Sequence, residues 1–531
     1  MARRASDGTS CRPSPLRPKL PFLLNRSWVV VGLLICCAVL PYVNSLNGSF
    51  HFDDEWTIVR NNSIRSWAGM AGHSLRRWLT YFTYYVNYSV HGTDFMPGWH
   101  VVNIALHAAC VLGLYGTVRL VLASAGRGDS LAPFIAALLF AVHPLASEPV
   151  NYIRARGPII YTIFTLLALC GTIIAHRAGS WPRRLGGMAL SAIAIVLAAI
   201  TKEVAGFFAL ALPALYVATF VGPAVVGKKR FWFVIGPVGA LAALGGWAWL
   251  RFSGSLPVVN TLTSHPLAGH HFWAMMTVFW RYVSLAVWPA PGRLSVDHYV
   301  PYHPSRVYSF GDADVLLAIV GILVLLGVAI WLARRRPAVS VFLTVPLIGI
   351  LPYFVVTTID ILVEYKFYLP LTGVCALAGL GLARLWRAWP VAGPVMVLGL
   401  CLAMGLATAS RNVAWRTELS LWEDAAKKGP RKARTINVLA WILATDEQVK
   451  DPPRALEFAR RSFDTNYVDP WWGYDAHLVD TLAEAYYANG LYDQAVRIEQ
   501  EIVQRGVGPV WFFRQQLDKF EDAQRQGRPA D

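Results

Sequence analysis

The chain has 531 residues, 55% of them hydrophobic and 15% charged, with a mean hydropathy of +0.42. Soluble domains carry about 25% charged residues, and here the apolar residues gather in runs long enough to span about 30 Å of hydrocarbon, so an ordinary soluble protein is excluded. The net charge of +16 comes from 48 basic and 32 acidic residues; the basic ones cluster at the ends of the apolar runs, which is the orientation signal of a membrane protein and excludes a nucleic-acid binder.

A basic tail over 1–26, with Arg3 and Arg4, precedes the first apolar run, Ser27 to Leu46. A cleaved signal peptide needs a shorter apolar core and a small-residue cleavage site, so this run is expected to be a retained span. Further runs follow at about 99–123, 131–149, 158–175, 185–201, 204–222, 231–250, 272–290, 313–333, 338–357, 366–387 and 390–409. With the tail inside and strict alternation, Arg183/Arg184 and Lys228-Lys229-Arg230 fall inside, as the positive-inside rule requires. The run 272–290 breaks the alternation. It carries Arg281 near its centre and ends in Pro289, Pro291 and Gly292. It is expected to lie along the outer surface or re-enter, which keeps Arg334-Arg335-Arg336 inside. The expected architecture is all-α: a polytopic membrane domain over 27–410 with about eleven spans. Long outer segments lie at about 47–98 and 251–312, the first rich in Trp, Tyr and Arg that suit the membrane interface.

From Arg411 to the end the composition becomes that of soluble helices. Leu482, Ala483, Tyr486, Gly490 and Ala495 have the spacing of a tetratricopeptide unit. Leu439, Ala440 and Ala455 form a looser copy, and Ala425 and Pro430 match the end of a half repeat. A repeat domain over 411–531, on the outer side, is expected. The seven cysteines, Cys11 in the tail and the rest in apolar runs, have no metal-site spacing and indicate no disulfide framework.

The residues able to carry chemistry concentrate on the outer side. Asp53, Asp54 and Glu55 follow the first span; a carboxylate there can deprotonate an acceptor hydroxyl, the bland alternative being a hydrated loop or a helix cap. Arg77, His100 and Asn103 flank the second span. His143, Glu148, Arg154 and Arg156 follow the third. Lys202 and Glu203 join the fifth and sixth. Arg281 and Asp297 lie in the second long outer segment, and Glu364 and Lys366 precede the tenth span. Charges at membrane depth are costly and tend to face a cavity. Carboxylates together with Arg and Lys suit an anionic phosphate lipid and a hydroxyl acceptor.

Phe52-Asp53-Asp54 followed by Ile58-Val59-Arg60-Asn61-Asn62 resembles the first-loop motif of the transmembrane and tetratricopeptide-repeat O-mannosyltransferases, GT-C-fold enzymes. The resemblance continues in order through Arg77, Trp99-His100-Val101-Val102-Asn103, His143-Pro144 with Glu148 and Arg156, Thr201-Lys202-Glu203, Leu294-Ser295-Val296-Asp297, Glu364 through Tyr368-Leu369-Pro370, and Arg411-Asn412 with Trp415 and Leu421-Trp422. It departs at Trp78, Pro158 and Glu364-Tyr365-Lys366. It implies an inverting glycosyltransferase that moves mannose or a similar hexose from a polyprenyl- or dolichyl-phosphate carrier to a protein Ser/Thr hydroxyl. Asp53 is then the base and Asp54 its companion, with Arg281, Arg156 or Lys366 at the leaving phosphate. The other polar residues named above line the substrate site, and the repeats present the acceptor protein. No cofactor is certain; a divalent metal, if used, falls to Asp53 or Asp54. The rival readings are a transporter or scaffold, and the same chemistry on a lipid or glycan acceptor. A bacterial inner membrane with the repeats in the periplasm is expected, the alternative being the endoplasmic reticulum with the repeats in the lumen.

Overall fold

The computed structural model describes residues 27–222, 268–298, 300, 308–354, 356, 360–430, 432–464, 476–506 and 508–527. Every regular element among the described residues is helical. Eight helices are long and apolar enough to cross a membrane: Ser27–Ser45, Met96–Ser124, Ile153–Arg177, Trp181–Ala199, Ala313–Arg335, Pro337–Phe354, Glu364–Ala388 and Ala392–Ala414. A ninth candidate is a bent pair, Leu131–Ala141 and Pro144–Asn151, with 54° between its halves. The bend has a local cause. Pro144 cannot donate an N–H, and the His143 ring turns back to accept the N–H of Leu145 at 3.2 Å.

Eight or nine described spans thus stand against the eleven expected. The run at 204–222 forms a shorter apolar helix, Ala205–Phe220. The run at 231–250 lies outside the described residues, as do the tail 1–26, the tract Lys228-Lys229-Arg230, and Trp471 and Trp472. The run at 272–290 forms the helix Ala268–Val287, which is long enough to cross a membrane but not apolar enough.

The bundle packs where side chains are small. A Cβ on Gly171 would meet the backbone of Ser191 at 2.6 Å, and one on Gly187 would meet Ala175 at 2.6 Å. Both glycines let the helices Arg156–Arg177 and Trp181–Ala199 touch through their backbones, as membrane helices do in place of hydrophobic collapse. One shared core joins Leu34, Val111, Ile135, Phe140, Leu169, Phe342 and Leu371. The outward faces stay apolar: Leu317, Leu323, Ile330 and Leu402 are exposed, which suits a hydrocarbon solvent.

After the last span, the described residues form six short helices: Glu418–Lys428, Ala433–Thr445, Pro452–Asp464, Ala476–Ala488, Tyr492–Arg505 and Val510–Gln526. Thr417 and Ser420 form a capping box that starts the first of them. Leu482, Ala483 and Ala495 are buried between paired helices, and Gly490 makes the turn between them at φ +72°, a conformation glycine adopts without strain. The expected boundary at 411 falls inside a helix, because Ala392–Ala414 runs three residues further.

Candidate active site

The segment after the first span is laid against the chain that follows the last one. The N–H of Ser49 donates to Arg416 O at 3.1 Å, and the His51 ring meets Trp415 O at 2.9 Å. The acidic triplet is therefore backed by the start of the C-terminal domain, more than 360 residues away in sequence.

The three carboxylates have three different settings. Asp54 is fully buried and accepts the backbone N–H groups of His51 at 3.0 Å and Arg154 at 2.8 Å. Burial pushes its carboxyl up to about 7, against those two N–H groups and the charges of Arg154 and Arg156, which favour the anion. Asp53 is open, its side chain 54% exposed, and pairs with the Arg154 guanidinium. Glu55 pairs with Arg60 at 2.6 Å out in solvent. Asp54 thus fixes the loop from inside, while Asp53 faces out beside an arginine.

Arg154 links Asp53 electrostatically to further cations. Arg154 comes from the start of the span Ile153–Arg177. Arg77 pairs with Glu203 at 2.7 Å, and Lys202 sits 5.0 Å above the Tyr365 ring. Burial and then the charge of Arg77 lower Lys202 to about 7; Glu203 opposes them, and Lys366 and Arg154 add to the lowering. Lys366 donates to Asp360 O at 2.6 Å. Lys202 thus feels the charges of Arg77, Arg154 and Lys366, which come from separate stretches of the sequence.

Other expected site residues are elsewhere. Arg156 is fully buried. Its guanidinium donates to Asn103 at 2.6 Å and Asn87 at 2.9 Å, with longer bonds to Thr83 and Trp99, and it lies over the Tyr84 and Trp99 rings. Its donors are spent inside the protein, so its expected place at a leaving phosphate is not the one it has. His100 and His143 are buried supports, meeting Gly48 O at 3.1 Å and Ala286 O at 3.0 Å. Glu148 is buried close to Glu364 and Arg411.

Glu364 accepts from Ser295 N–H and the His298 ring, both at 2.8 Å. Asp297 receives Thr435 Oγ1 at 2.7 Å and pairs with Lys432. The segment around Ser295–His298 is thereby bound to the start of the span Glu364–Ala388 and, through Asp297, to the C-terminal helices. Arg281 lines a separate cavity of about 420 Å³ at that seam, together with Arg293, Asp297, His298 and Lys428.

As to metals, Asp54 gives both oxygens to backbone N–H groups and Asp53 gives one to Arg154. Among the described residues no group of three or more His, Cys, Asp or Glu could hold an ion. This donor set does not fit a resident metal.

Sequence reasoning missed the weight of Arg154, which carried the same signal as Arg156, and of the aromatic residues Phe52, Tyr152, Trp415 and Trp422, which pack together behind the acidic loop.

No family model matches the chain. Protein O-mannosyl-transferase F38B6.6 of Caenorhabditis elegans is 26% identical over 469 residues, covering 83% of this chain and 64% of that protein. Protein O-mannosyl-transferase TMTC4 of Mus musculus is 26% identical over 496 residues, covering 78% and 64%. The chain spans just under two thirds of the length of these curated relatives. Among solved structures, an Archaeoglobus fulgidus oligosaccharyltransferase tethered to an acceptor peptide with the NVT sequon reaches a TM-score of 0.39 at 13% identity, covering 90% of this chain and 68% of that one, a likeness too low to carry an argument. The chain is a multi-pass, all-helical membrane protein. Its curated relatives are the O-mannosyl-transferases that its motifs resemble.

Proposed function

We propose that the chain is a membrane glycosyltransferase that moves a hexose, mannose by the names of its relatives, from a polyprenyl- or dolichyl-phosphate carrier to a protein Ser/Thr hydroxyl. The observation that carries this reading is an open carboxylate, Asp53, paired with Arg154, whose charge reaches Lys202 together with those of Arg77 and Lys366. Asp53 accepts the proton of the acceptor hydroxyl, and the oxygen attacks the anomeric carbon from the face opposite the phosphate. The bond from that carbon to the phosphate oxygen breaks with inversion, and the lipid phosphate leaves with the bonding pair. Arg154 and Lys202 are suited to stabilise the charge it gains. Arg154 takes the part first expected of Arg156, because its side chain is 32% exposed and pairs with Asp53. The basic tracts put the N-terminus in the cytoplasm and the C-terminal helices outside, where they would present the acceptor. An inner-membrane setting with those helices in the periplasm fits the same orientation, as does the endoplasmic reticulum with them in the lumen.

The test is transfer in proteoliposomes holding the full chain, dolichyl-phosphate-mannose with labelled mannose and a Ser/Thr-rich peptide. Label should reach the peptide with the wild type and fall more than about a hundredfold with Asp53→Asn, a change that keeps shape and removes the base. Equal rates would end the base assignment. Label moving to a lipid or glycan in place of peptide would replace the acceptor.

A further inference from the structure

Phe52, immediately before Asp53, has a φ of +50°, the one positive value among the described non-glycine residues. A residue with a Cβ enters that region when its surroundings enforce it. The enforcement is visible at the ring. It stands nearly perpendicular to three others: Trp422 at 5.3 Å, Tyr152 at 5.6 Å and Trp415 at 6.5 Å. Such edge-to-face pairs have a preferred geometry, not merely a preferred distance. Val296 of the second outer segment closes the pocket. Tyr152 belongs to the membrane bundle, whereas Trp415 and Trp422 follow the last span.

The backbone on either side is equally fixed. His51 O accepts from Asp54 N–H at 3.0 Å, Phe52 O from Glu55 N–H at 3.3 Å and Asp53 O from Thr57 N–H at 2.8 Å. With these turns set, the direction of the Asp53 side chain follows from the dihedrals at Phe52, and those follow from where the ring is seated.

We propose that Phe52 is a positioning residue whose ring, seated on Trp415 and Trp422, makes the placement of Asp53 depend on the start of the C-terminal domain. This rests on the reading of Asp53 as the base. A shift of the helix Glu418–Lys428 passes to Asp53 through the ring, so that helix is part of the site's architecture as well as the beginning of the array.

The test uses the full chain in proteoliposomes with dolichyl-phosphate-mannose and a Ser/Thr-rich peptide. Phe52→Ala and Phe52→Asn should each lower kcat by about a hundredfold, the scale of a small misplacement of a reacting group, with donor KM little changed. Phe52→Tyr, which keeps the ring, should restore most of the rate. The asparagine substitution separates ring from backbone, because asparagine accepts positive φ readily. Normal kcat in Phe52→Asn would overturn the inference, as would a rise in KM alone. A second readout needs no activity. The N–H groups of His51 and Arg154 should exchange with solvent at least about tenfold faster in Phe52→Ala, with the spans unchanged; unchanged exchange overturns the inference. If wild type and Asp53→Asn are equally inactive, the catalytic reading has failed and the exchange result still decides the positioning. Should Phe52→Ala not accumulate in the membrane, Trp422→Phe perturbs the seat from the other side. It should also speed exchange at His51, and unchanged exchange there overturns the inference.

Discussion

Replacing Asp54 by asparagine tests the inner half of the acidic pair. The buried carboxylate accepts two backbone N–H groups, from His51 and Arg154, and burial raises it from 3.8 to about 7. A carboxyl raised by folding is held protonated in the fold. The stability it contributes is fully present below its unfolded pKa near 4 and is lost as pH rises through about 7. A rise of that size corresponds to on the order of 4 kcal/mol between pH 4 and pH 8. The Asp54→Asn protein has no such dependence, but its side-chain NH2 faces one of the two buried N–H donors. Leaving that donor unpaired costs about 1–3 kcal/mol at every pH. The variant should therefore be less stable than wild type at pH 4 and more stable at pH 8. Thermal unfolding of both full-length proteins in one detergent, at pH 4, 6 and 8, measures the difference. The same gap at pH 4 and pH 8 would refute the view that Asp54 ionises at a cost in the fold.

Arg154→Gln removes the partner of Asp53 and a cation beside Lys202; transfer should fall by about tenfold or more if Arg154 stabilises the leaving phosphate, and an unchanged rate would return that role to Lys366 or Lys202. Burial raises Asp297, but Lys432 and Arg434 together with the bonds from Lys432 and Thr435 outweigh it and hold the carboxyl low. Its stabilisation is therefore present at neutral pH and lost on acidification below about 4. Asp297→Ala should cost about 3–5 kcal/mol at pH 7, and protease sensitivity of the C-terminal helices that matches wild type at pH 7 would contradict this. Truncation after Arg411 removes Trp415 and Trp422, which the Phe52 ring packs against; transfer should then fall as in Phe52→Ala while binding of labelled donor is largely kept, and transfer at the wild-type rate would show that the acidic loop holds itself. A reporter fused after Gln526 should be active outside the cytoplasm, and cytoplasmic activity there would invert the orientation.

The spans were legible because hydrocarbon imposes one demand on every residue of a crossing helix, and a run of about 20 apolar residues meets it whatever the partners. The hairpin around Gly490 was legible for a similar local reason: small residues at fixed spacing and one glycine turn. The motifs pointed to the loops where carboxylates and cations concentrate, the first loop's carboxylates among them. Geometry over long separations was decided elsewhere. Arg154 and Arg156 are two residues apart and equally basic, yet one faces the open site and the other is enclosed by Asn87, Asn103 and Trp99. Helical spacing sets the angle between them, but which side is left open depends on the helices packed around that turn. The seat of Phe52 is the same kind of fact. Trp415 and Trp422 lie more than 360 residues along the chain, and their place behind the acidic loop exists because the first and last spans meet at one end of the bundle.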